Sequence, residues 1–233
     1  MSETSPLVRP AGFFIGADGR IRPIWRAFLY VIAGFVAFIA ATILVLLLVE
    51  TFAPGAIQGL GSAKAMMARP MTFVAVYATS NVAFLLLAWL FLTVFDRRSF
   101  RVLGIWFFAG WGREVVAGVG LGVAVLVGGV GFSVAFRAVV FQGMADVSSA
   151  SLLGLAKIAL LLFFAAANEE FLFRGYAFQR LVESLGALWT VLITSALFGV
   201  AHLFNPSPTP LSTANTVLAG VLLSLAYLKT RAL

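Results

Sequence analysis

Long apolar runs separated by short polar stretches dominate this chain. Six of them approach or exceed the roughly 20 residues a helix needs to cross a hydrocarbon core: Trp25–Val49, Pro70–Phe95, Val115–Phe141, Leu152–Phe173, Ala187–Phe204 and Leu211–Leu228. The pattern predicts an all-α fold, a polytopic transmembrane helix bundle of about six spans. The fourth helix is expected to continue beyond the core through Phe171–Glu183. The fifth span is short, and "NPSPTP" (Asn205 to Pro210) closes it, because prolines remove backbone donors and disfavour helix before them. Residues 97–114, "RRSFRVLGIWFFAGWGRE", mix arginines, tryptophans and glycines and read as an interfacial segment. Three regions follow: an N-terminal arm at 1–24, loose and rich in Pro, Gly and polar residues; N-terminal transmembrane helices at 25–141, with the interfacial segment inside them; and a C-terminal helical region at 152–233.

Composition sharpens this picture. The 233 residues are 62% hydrophobic and only 11% charged, far from the balance of a soluble domain. The 23 phenylalanines and 22 glycines suit lipid contact and close helix approach. With no cysteine there is no disulfide, no thiol chemistry and no Cys-ligated metal. The formal charge of +7 does not indicate nucleic acid; it reflects loop arginines biased to one side of a bilayer. If six spans alternate, Arg9, Arg20, Arg22, Arg26, Arg97, Arg98, Arg101, Arg113, Arg174, Arg180, Lys229 and Arg231 share one side. Lys64 and Arg69 lie on the other, with Arg137 and Lys157 near its edge. By the positive-inside rule both termini are cytoplasmic. The first apolar run begins late and lacks a small-residue cleavage site, so no cleavable signal peptide is expected.

Charges inside such a chain need a reason. "AAANEEFLFRG", Ala165 to Gly175, puts two glutamates and an arginine beside a span. Each ionised residue at mid-membrane costs about 2.5–3.5 kcal/mol on insertion scales. Glu170 and Arg174 are four apart and can pair along one face, whereas Glu169 points about 100° away from Glu170 and has no local partner. Adjacent carboxylates resist ionising together, a property suited to general acid–base work. Glu169 is therefore the candidate base, with Glu170 and Arg174 holding it in place. A second cluster is "LFGVAHLFNP", Leu197 to Pro206, with the single histidine of the chain, His202. Phe198 and His202 share a face and Asn205 lies within one turn, while Gly199 permits close helix approach. If the two spans pack through these faces, a carboxylate can activate water beside an imidazole, and such a pair hydrolyses an amide or ester.

Other roles exist for each of these residues. Glu170–Arg174 can serve as a structural ion pair, a lone buried histidine as a hydrogen-bonded core residue, and Asn205 as a helix terminator. Asn215 reads as interhelical glue. Arg137 and Lys157 can snorkel to the interface.

"EEFLFRG" resembles the Glu-Glu-x-x-x-Arg motif, and "FGVAH" the Phe-x-x-x-His motif, of the CPBP intramembrane proteases, which include the type II CAAX prenyl endopeptidases and bacterial proteins linked to bacteriocin processing and immunity. The spacing of the motifs, Asn205 and the span "NTVLAGVLLSLAY" are similar to that family's core, so the resemblance covers roughly Leu152 to Leu233. It implies that Glu169 activates the hydrolytic water, that Glu170 and Arg174 support it, that His202 lines the site with Phe198 and Asn205, and that 152–233 is the catalytic core. No cofactor is expected. If a divalent metal takes part, Glu169 and His202 are its candidate ligands, although one histidine, two carboxylates and an asparagine make no standard zinc set. The family pattern continues past the equivalent of "YLKTRAL" into a span with a further histidine and asparagine. Residues 1–233 hold no second histidine, so the expectation is either a fragment of a longer protein or a short form with an incomplete site. The implied partners are a membrane-associated peptide or protein substrate and the lipid bilayer, with no nucleic acid; the implied setting is a bacterial plasma membrane. Two other readings remain: a catalytically silent membrane adaptor or immunity protein, and a proton-coupled transporter, although no inverted repeat or broken midplane helix is evident.

Overall fold

The computed structural model describes residues 12–58, 68–105, 107, 109–140, 142–143, 148–205 and 207–233. Arg9, Lys64 and Pro206, singled out above, lie outside the described residues, as do the first eleven residues of the arm. The described residues form six long helices: α1 Pro23–Phe52, α2 Pro70–Phe91, α3 Trp111–Ala135, α4 Ser149–Phe173, α5 Tyr176–Ala201 and α6 Pro210–Thr230. Short turns of 3-10 helix cover Phe100–Leu103 and His202–Phe204, and α2 runs into a π-helical turn, Leu92–Asp96. No β-strand occurs among the described residues; one isolated bridge joins Ile15 to Ile21. Among the described residues five segments are long and apolar enough to cross a membrane, one of which, Ser149–Phe204, contains both α4 and α5. The chain is thus a multi-pass membrane protein, with a span count close to the expected six.

Where the arm meets α1, Phe13, Phe14 and Trp25 form an aromatic cluster, and the Trp25 indole donates to the Phe13 carbonyl at 2.9 Å. Two local expectations change. The third helix stops at Ala135 rather than Phe141, because Arg137 turns into the left-handed region with φ 56°. The fourth helix does not continue through Glu183. It ends at Phe173, and a bend at Arg174–Gly175 starts α5. Only glycine fits at 175, since a Cβ there would collide with the Phe171 carbonyl. Within α5, Gly186 (φ 79°, ψ 167°) interrupts the helix in a region of φ/ψ space open to glycine.

The chain divides into two compact units, Met1–Gly104 with Gly154–Leu233, and Ile105–Leu153. In the first, α1 meets α2 where Gly34 faces the Phe84 ring, and the Tyr30 hydroxyl donates to the Phe84 carbonyl at 3.3 Å. Tyr30, Phe91 and Tyr176 stack with centroids 5.0–5.5 Å apart and join α1, α2 and α5. Asn81 donates to the Phe164 carbonyl and accepts from Asn168, both at 3.0 Å, so α2 grips α4 through polar groups. In lipid such contacts contribute about 0.6–2 kcal/mol each. Helices α5 and α6 approach closely: a Cβ at Gly199 would run into Val217, and one at Gly220 would press tightly on Ser195. At one end of this unit Asp96 is buried between Arg26 and Arg180, while Glu183 pairs with Arg180 at 3.0 Å and with Arg98 at 2.7 Å. The second unit contains α3, which carries no buried residue and suits lipid contact.

Candidate functional site

The last two turns of α4 carry Asn168, Glu169 and Glu170. Asn168 is buried and held by Asn81, which fixes how the next two side chains leave the helix. Successive residues diverge by about 100°, so the two glutamates separate. Glu170 turns toward its own helix end, where Arg174 Nη1 donates to its Oε1 at 3.0 Å. Glu169 turns toward α5, and its side chain is 43% exposed.

Arg174 occupies the centre of the arrangement. It is 1% exposed; besides Glu170 it donates from Nη2 to the Gly220 carbonyl of α6 at 3.3 Å. Its guanidinium lies 4.6 Å from the centroid of Phe198 and 5.8 Å from that of Phe173, within range of a cation–π attraction worth about 2 kcal/mol when desolvated. One arginine therefore binds the end of α4 to both α5 and α6.

His202 sits where α5 tightens into a 3-10 turn. Its ring packs on Phe198 with centroids 4.5 Å apart, and Nδ1 lies 2.8 Å from the Phe198 carbonyl oxygen. A carbonyl only accepts, so Nδ1 carries the hydrogen and Nε2 is the nitrogen left free in the neutral ring. Nε2 faces Glu169 Oε1 at 3.8 Å. That gap is too long for a direct hydrogen bond and suits one bridging water.

The structure therefore brings Glu169, Glu170, Arg174, Phe198 and His202 together. Asn205 does not join the carboxylate pair; it lines, with His202, a pocket of about 170 Å³ that also includes Ser207, Ser212, Thr213 and Thr216. Sequence reasoning passed over these four hydroxyl residues, and Asn81 and Asn168 as well. The only signal was their position on or beside the helices that carry the motifs. Among the described residues no group of three or more His, Asp and Glu could hold a metal ion. Glu169 and His202 offer at most two ligands, short of a standard site.

Fold and site define a polytopic membrane protein with a carboxylate–imidazole pair supported by a buried arginine. Residues 151–233 match the family model described as Type II CAAX prenyl endopeptidase Rce1-like. The matched stretch contains both motifs, in agreement with the resemblance to CPBP proteases. No curated protein and no solved structure matches the chain significantly.

Proposed function

We propose that this protein is an intramembrane endopeptidase that hydrolyses a peptide bond of a membrane-associated peptide or protein through water activated by Glu169. The observation that carries the reading is the 3.8 Å separation of Glu169 Oε1 from the free nitrogen of His202. A water between them donates one hydrogen to each, which aims its lone pair outward at a carbonyl carbon. Glu169 takes a proton as the new C–O bond forms, and the carbonyl π electrons move onto oxygen. Asn205, in the adjoining pocket, supplies an amide donor for that oxyanion. Collapse of the intermediate breaks the C–N bond, and the proton held by Glu169 passes to the leaving amine.

Glu170 and Arg174 are positioning residues. The pair neutralises one carboxylate and anchors the end of α4 on α6, which leaves Glu169 as the carboxylate free for chemistry. Phe198 supports both Arg174 and the His202 ring. The match to the type II CAAX prenyl endopeptidase model supports the same class of reaction.

The test uses protein reconstituted in liposomes with a library of peptides bearing one lipid anchor, in water enriched in ¹⁸O. Mass spectrometry should find new carboxyl termini carrying ¹⁸O, absent with Glu169→Gln. Cleavage at the wild-type level by Glu169→Gln would refute the reading.

A further inference from the structure

The pocket beside His202 lies at the opposite end of the bundle from Lys229 and the cluster around Arg180. Ser212, Thr213 and Thr216 belong to the first two turns of α6. Along α6, Val217 meets Gly199 and Gly220 meets Ser195, and Tyr227 then packs on Phe178 and accepts from Gln179 at 2.6 Å. Lys229 follows in the last turn. At a rise of 1.5 Å per residue, Ser212 and Lys229 are about 25 Å apart along the axis, most of a hydrocarbon core. The part of α5 before the Gly186 break agrees: Phe178 and Gln179 meet Tyr227, next to Lys229, and Arg180 beside them belongs to the cluster with Arg26, Asp96, Arg98 and Glu183, whereas His202 follows the end of the part after the break.

We propose that this pocket is the mouth through which an extended peptide segment reaches Glu169 and His202, and that it opens on the face opposite Lys229 and the Arg26–Arg98–Arg180 cluster. The proposal rests on the endopeptidase reading and adds the route and chemistry of its substrate. With the basic end cytoplasmic, the substrate segment comes from the extracytoplasmic side.

The lining fits a peptide backbone. The hydroxyls of Ser212 and Thr213 both donate to the Thr209 carbonyl, at 2.9 and 3.0 Å, and that of Thr216 to the Ser212 carbonyl at 2.9 Å. Their hydrogens are committed, so toward the pocket they offer lone pairs, which peptide N–H groups can use. Asn205 and Ser207, on the connecting loop, bring donors for peptide carbonyls. An isoprenoid chain placed there would strip water from hydroxyl and amide groups without replacing their hydrogen bonds, at a cost of about 1–3 kcal/mol for each group. A polar or small-residue peptide segment fits this chemistry, and a prenylated one does not.

Because the chain has no cysteine, single cysteines report the route. Ser207→Cys, Thr216→Cys and Lys229→Cys would be prepared in sealed vesicles of both orientations and treated with a membrane-impermeant maleimide. The expected result is that Ser207→Cys reacts at least tenfold faster in one orientation, Lys229→Cys at least tenfold faster in the other, and Thr216→Cys from the Ser207 face. Reaction of Ser207→Cys and Lys229→Cys from the same face overturns the proposal. So does a Ser207→Cys and Thr216→Cys pair that reacts only after detergent is added, because the pocket would then be no open mouth. Labelling needs no catalysis, so it is independent of the Glu169→Gln cleavage assay, and either result can fail without the other.

Discussion

Asp96 is the counter-charge for two buried arginines, and its removal is a demanding test of how the helices are held. Arg26, Asp96 and Arg180 are exposed by only 6, 5 and 1%. Asp96→Asn keeps the shape and deletes the charge. Breaking a buried ion pair by removing one partner costs about 3–5 kcal/mol, because the other charge stays buried without compensation. Arg180 keeps Glu183 at 3.0 Å, so the loss falls mainly on Arg26, and the lower end, about 3 kcal/mol, is expected. That is roughly a hundredfold shift in the folding equilibrium. Reversible unfolding in mixed micelles of rising denaturing-detergent fraction measures it. The double replacement Arg26→Met with Asp96→Leu exchanges the pair for apolar groups and should recover most of the loss. A change below about 1 kcal/mol for Asp96→Asn, or a double variant no more stable than Asp96→Asn, refutes the reasoning; either would place these charges in an environment wet enough to screen them.

Gly199→Leu should separate α5 from α6, because its side chain would enter the space of Val217; a loss of about 1–3 kcal/mol is expected from overpacking, and Val217→Ala added to it should restore part, both read by unfolding. Arg174→Lys keeps a charge but loses the fork that reaches Glu170 and the Gly220 carbonyl together; cleavage should fall more in kcat than in KM, and an unchanged kcat would remove Arg174 from its positioning role. Asn205→Ala should lower kcat by about 10²–10³ if its amide serves the oxyanion, with unfolding unchanged because no side-chain hydrogen bond engages it among the described residues.

Much of this architecture is legible in the sequence because lipid imposes a simple rule: a span must be apolar and helical. Each apolar run therefore overlaps a helix, and the motifs at Glu169–Arg174 and Phe198–His202 mark the residues that the fold then assembles. The break at Arg174–Gly175 was hidden because "FLFRGYAFQRLVESLG" keeps a helical pattern, and a single glycine costs a helix only about 1 kcal/mol. The bend leaves no room for a Cβ at 175 beside the Phe171 carbonyl, a requirement that no periodicity reports. Asp96 was hidden in another way. It precedes Arg97 and Arg98 and so reads as part of a solvated interfacial stretch, whereas its partners Arg26 and Arg180 are 70 or more positions away in the chain. The hydroxyls of α6 were invisible as a pocket, since Ser and Thr are ordinary components of membrane helix contacts.

The central claim is that Glu169 is the base of a hydrolytic site. Its most direct test is the cleavage rate of Glu169→Gln against wild type, in the same liposomes and on the same anchored peptide, with unfolding measured in parallel. Glutamine preserves size and cannot accept the water proton, so kcat should fall by about 10²–10⁴ at unchanged stability. A Glu169→Gln protein that is stably folded and cleaves at the wild-type rate would contradict the account.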